Sequence, residues 1–79
     1  MNILVRKLAR TTSEQSIRDL FSNYGEVESC DLVLDKDTGK SKGFAFVEMP
    51  NETEASAAIN KLNQSMLDNA SIRVKLADS

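Results

Sequence analysis

Seventy-nine residues, 41% hydrophobic and 28% charged with a formal net charge of −2, describe one small domain of ordinary globular composition, spanning residues 1–79. No apolar run approaches the roughly 18 residues that a bilayer crossing needs, and Met1–Leu8 is too short and polar for a signal peptide, so the expectation is a cytosolic protein with no membrane partner. The chain has no His, and its single cysteine, Cys30, can form neither an intramolecular disulfide nor a thiolate zinc cluster. The expectation is therefore no enzyme, no metal and no cofactor, with Cys30 acting as a small buried hydrophobe.

Asn2 to Leu8 alternates with a period of two, which predicts a strand with Ile3 and Val5 on one face and Leu4 and Arg6 on the other. Thr12 and Gln15 have the spacing of a capping box, with Glu14 in the first turn of the helix that follows. Ile17, Leu20, Phe21 and Tyr24 then form one apolar stripe, and Gly25 is expected to close the helix as a left-handed cap. Val27–Leu34 reads as a second strand with Cys30, Leu32 and Leu34 facing one way and Asp31 and Val33 the other. The polar stretch from Asp35 to Lys40 is a projecting turn.

Gly43 to Met49 is the third strand, in which Ala45, Val47 and Met49 alternate with Phe44, Phe46 and Glu48 before Pro50 stops it. Asn51 with Glu54 signals a second helix start, and Ala55, Ala58, Ile59 and Leu62 supply its stripe. Ser71–Leu76 is the last strand, with Ile72 and Val74 inward and Arg73 and Lys75 outward. The order β-α-β-β-α-β is the split-βαβ arrangement. This predicts an α+β, ferredoxin-like sandwich: a four-stranded antiparallel sheet with both helices packed on one face.

That arrangement leaves the other face of the sheet bare. Its residues are Asn2, Leu4, Arg6, Asp31, Val33, Phe44, Phe46, Glu48, Arg73 and Lys75. Two of the four aromatics in the chain are among them, and an exposed apolar patch marks a binding surface. Arg6, Lys7, Lys42, Arg73 and Lys75 flank the rings, with Lys36 and Lys40 on the adjacent turn, so seven of the ten basic residues lie on or near this side. Most acids fall on the helices. The molecule is thus acidic overall but bipolar, although Asp31 and Glu48 are unfavourable neighbours for phosphate. Flat rings among cations suit unpaired bases and their phosphates.

Lys42-Gly43-Phe44-Ala45-Phe46-Val47-Glu48-Met49 closely resembles the octamer signature of the RNA-recognition motif, agreeing at seven of eight positions when the free one is counted. Met49 stands where the family has a final aromatic. Ile3-Leu4-Val5-Arg6-Lys7-Leu8 resembles the family's hexamer signature, with Leu4 at its aromatic position. Leu20 to Val27 and the Asp35–Lys42 loop are similar to the corresponding parts of the family, so the resemblance covers essentially the whole chain. It extends to the short, free-standing members of the family in bacteria.

The resemblance implies single-stranded RNA as the partner, with single-stranded DNA as the other candidate; the expected state is a monomer capable of weak self-association. It also implies base stacking on Phe44 and Phe46 and a phosphate contact from Lys42. Arg6, Arg73 and Lys75 join as cations, Leu4 as an apolar contact and Asn2 as a hydrogen-bonding group at a base edge. Leu4 removes one platform. The alternative is a protein-interaction module of the same fold that buries the apolar patch against a partner or a second copy.

Overall fold

The computed structural model describes residues 1–77. Its elements are β1 (Asn2–Arg6), α1 (Glu14–Ser22), β2 (Ser29–Leu34), β3 (Ser41–Glu48), α2 (Glu52–Leu62), β4 (Met66–Leu67), β5 (Ala70–Ser71) and β6 (Arg73–Leu76). Strands β2-β3-β1-β6 form one antiparallel sheet in that order, and β4 and β5 form a small separate hairpin. The fold is α+β and ferredoxin-like, as the element order predicts. Among the described residues no helix is long and apolar enough to cross a membrane.

Period-two alternation fixes which residues enter the core. Ile3, Val5, Cys30, Ala45, Val47, Met49, Ile72 and Val74 are all buried, together with Ile17 and Phe21 of α1 and Ala55, Ala58 and Leu62 of α2. Leu32 is half-buried against this cluster, as are Leu20, Tyr24, Val27 and Ile59. The two helices therefore share one side of the sheet, because their stripes and the odd-numbered residues of β1 and β3 need the same dry interior. Met49, in place of the family's aromatic, lies wholly inside this core.

Four local expectations are corrected. The cap of α1 is Ser13, whose Oγ accepts from the Ser16 N–H at 3.1 Å, and not Thr12. Thr12 is buried and donates its hydroxyl to the Asp68 carboxylate at 2.7 Å, a tertiary contact that no local pattern reports. Gly25 is no left-handed cap: α1 ends at Ser22, and Gly25 has φ +158°, near the extended region. Its role is close approach, since a Cβ there would collide with the side chain of Glu54, whose carboxylate accepts from the Glu26 N–H.

The second strand begins at Ser29 rather than Val27, and a register shift between Leu32 and Leu34 places Leu34 opposite Ser41. The strand end runs past the start of α1, where the Glu14 carboxylate accepts from the Leu32 N–H at 3.0 Å, and Leu34 stands 51% exposed. The last strand is broken. Ile72 exchanges hydrogen bonds with Gln64 and Ser65, so Ser71 belongs to the β4–β5 hairpin and only Arg73–Leu76 pairs with β1. Asp68 and Asn69, with φ of 51° and 68°, make the hairpin's turn.

Candidate nucleic-acid interface

The alternation that buries one face of the sheet exposes the other. All ten residues assigned to the bare face escape burial. Phe46 is 40% exposed and Phe44 is half-buried beside it. Their ring centroids are 6.1 Å apart with planes at 87°, an edge-to-face pair. The two rings support each other in fixed orientations and still present an apolar surface to water.

The register sets what surrounds them. Phe46 lies between Asp31 on β2 and Leu4 on β1, and Leu4 pairs in turn with Lys75 on β6. Glu48 lies between Ser29 and Asn2. At the other end of the face Arg6 pairs directly with Arg73. Two like charges opposite each other across an antiparallel pair repel, and neither has a carboxylate partner among the described residues.

Lys42 lies on the same side of β3 and reaches toward the loop. The Asp35 carboxylate there accepts from the N–H groups of Asp37 and Thr38, at 2.8 and 3.1 Å. Those two bonds, and to a lesser degree the Lys42 charge, favour the ionised carboxylate and hold its pKa below the usual carboxylate range. Lys36 and Lys40 are exposed on that loop, and Lys7 follows β1 with a left-handed φ of 60°.

Of the acids, Glu48 is neutralised by the Met1 α-amino group at 2.9 Å, while Asp31 makes no hydrogen bond or ion pair among the described residues. The predicted site residues Phe44, Phe46, Leu4, Arg6, Arg73, Lys75, Lys42 and Asn2 thus share one face. Phe46, Leu4 and Lys75 fall in a single row, and Asn2 sits apart beside Glu48. Sequence reasoning missed Arg10. Its guanidinium donates to the Ser41 carbonyl at 2.8 Å and packs by Gly43, steadying the start of β3. Only a contact across 31 residues reveals it.

On the hidden side, Cys30 is enclosed by the core. Burial, reinforced by the Glu14 carboxylate, pushes its thiol up to about 11. It is a packing residue without a base to activate it.

A split-βαβ sandwich with one helix-free sheet face, two outward rings and uncompensated cations defines a class of ligand-binding domain rather than an interior-pocket fold. The chain belongs to the RNA recognition motif family, whose model matches residues 3–73. It is 39% identical over 77 residues to glycine-rich RNA-binding protein 1 of Mycosarcoma maydis, covering 98% of this chain and 44% of that protein, so it spans less than half of that relative's length. The crystal structure of RNA-binding protein PG1 superposes with a TM-score of 0.94 at 38% identity, covering 98% of this chain and 93% of that one. A structure of the Rna15 RRM with bound RNA (GU) superposes with a TM-score of 0.89 at 27% identity, covering 99% of this chain and 83% of that one.

Proposed function

We propose that this domain binds single-stranded RNA across the helix-free face of its sheet. The observation that carries the reading is the outward Phe44–Phe46 pair, set beside the Arg6–Arg73 cations, which have no carboxylate partner among the described residues. Family membership, and the similarity to proteins named for RNA binding, support it. Bases stack on Phe46 and contact Phe44 and Leu4. Phosphates approach Arg6, Arg73, Lys75 and Lys42, and Asn2 offers a hydrogen-bonding group at the margin. Unpaired strands are preferred to duplexes, because a stacked base must first leave its own stack.

Stacking contributes about 1–3 kcal/mol per base, so Leu4 in place of a ring makes binding roughly ten- to a hundredfold weaker than a full set of rings would give. If three or four phosphates are neutralised, log affinity falls with log salt at a slope of about −2 to −3.

The test is a titration of a labelled degenerate single strand against the wild type and the Phe44→Ala/Phe46→Ala double variant. The stacking model expects a loss of at least tenfold, and equal affinities refute it. The competing reading, burial of the patch against a second copy, draws on Leu4, an aliphatic side chain where a stacking surface would want a ring. Sedimentation at several concentrations separates the two, because a stable dimer that hides Phe44 and Phe46 excludes strand binding at that face.

A further inference from the structure

The acid beside the platform is the one element of the open face that strand binding in general does not explain. Asp31, Phe46, Leu4 and Lys75 form one row across the four strands, a carboxylate on one edge strand and an ammonium on the other. Directly opposed residues in an antiparallel pair carry their Cβ atoms about 4.5–5.5 Å apart, so Asp31 flanks the Phe46 ring. Of the other acids, Glu48 on this face is engaged by the Met1 α-amino group and Asp35 on the loop by backbone N–H groups, while Asp37 is exposed on the loop beyond the end of β2, outside the Phe46 row. Asp31 is exposed and bonded to nothing among the described residues. A bare carboxylate there repels phosphate from every strand equally, so it weakens binding in general.

The same carboxylate is an acceptor with two oxygens and no donor. Phosphates drawn to Arg6, Arg73 and Lys75 lie on the far side of the ring from Asp31. A base stacked on Phe46 therefore turns its edge toward β2. Guanine carries two adjacent N–H donors on its Watson–Crick edge, at N1 and N2, and both oxygens of a carboxylate accept from them at once. Uracil offers one N–H between two carbonyl oxygens that the carboxylate repels. Adenine and cytosine each offer an amino group next to a ring nitrogen that is itself an acceptor.

We propose that Asp31 selects guanine at the position stacked on Phe46, converting a general electrostatic cost into base discrimination. The inference rests on the reading of this face as an RNA-binding surface. It is tested with two short single strands, one all uridine and one identical but for a single central guanine, each titrated against the wild type, Asp31→Asn, Asp31→Ala and Phe46→Ala.

The expected result is about tenfold tighter binding of the guanine strand by the wild type, the scale of one good bidentate base contact. In both Asp31 variants the preference should fall to within about twofold, while affinity for the uridine strand is unchanged or higher as the repulsion is removed. A guanine preference that survives in both variants overturns the assignment to Asp31. Equal binding of the two strands by the wild type, lost in Phe46→Ala, overturns guanine selection and leaves RNA binding standing. If neither strand binds, both readings fail together.

Discussion

Strands β1 and β3 lie side by side at the centre of the sheet and are built on the same alternation, yet their outward sides differ. β3 shows Phe44 and Phe46; β1 shows Leu4 and Arg6, with Leu4 directly opposite Phe46. The inward sides are equivalent, since Ile3 and Val5 on one and Ala45 and Val47 on the other are all fully buried. The core therefore constrains the two strands alike, and what distinguishes them is confined to side chains that folding does not need. A difference that packing does not require is where binding preferences are written.

The contrast can be broken outright by making β3 resemble β1. Phe46→Leu should weaken single-strand binding roughly tenfold or more, the cost of one stacking platform, with a smaller effect on the thermal midpoint because the ring lies outside the buried core and is 40% exposed. Fluorescence titration beside a melting curve reads both quantities. The converse change sharpens the contrast. Leu4→Phe adds a ring beside Phe46 and should tighten binding roughly tenfold or more, and an affinity unchanged by the new ring would show that no base reaches β1.

A third comparison concerns two left-handed residues that hydrogen bonding brings together. Gly43 in β3 has φ 86° and Lys7 after β1 has φ 60°, and the Leu8 N–H donates to the Gly43 carbonyl at 2.9 Å. A Cβ on Gly43 would meet the Leu8 carbonyl at 3.5 Å, an ordinary contact, so the obstacle to a side chain there is conformational. Gly43→Ala should lose about 1–2 kcal/mol in denaturant unfolding, whereas Lys7→Gly should be neutral or stabilising by a few tenths of a kcal/mol.

The smallest effect lies on the hidden face of the sheet, where Cys30 of β2 pairs with Val47 of β3. Its thiol titrates near 11 when folded against 9.0 as the ordinary value, so the folded state holds the proton longer than the unfolded chain does. The contribution is fully present below about pH 9 and is lost as pH rises toward 11. Cys30→Val should flatten this part of the stability profile, measured as unfolding midpoints between those two pH values.

The side chains on each face were legible because strand parity depends only on the order of residues, and the apolar run of each strand declares it. The eight residues assigned to the interface all emerged on one face for that reason. What the order could not supply was lateral neighbourhood. That Asp31, Phe46, Leu4 and Lys75 share a row follows from register, which turns and bulges set far from the residues concerned.

The helix cap was misread at Thr12 because its hydroxyl is committed to Asp68, leaving Ser13 to cap α1. The hairpin at residues 66–71 was missed because Asp68-Asn69 takes the paired positive-φ turn without the glycine that advertises it. Leu34 lost the burial that simple alternation gives it, since the register shifts between Leu32 and Leu34.

The Thr12–Asp68 hydrogen bond ties the entrance of α1 to the tip of the β4–β5 hairpin, two pieces of chain 56 positions apart. Neither piece is stable alone: a two-residue ladder is too short, and a nine-residue helix is marginal in water. Fastened together, they open as one unit, so the amides of the first helical turn and of the hairpin should exchange with deuterium at a common rate. Thr12→Val should raise both rates in step while leaving the central strands as slow as before.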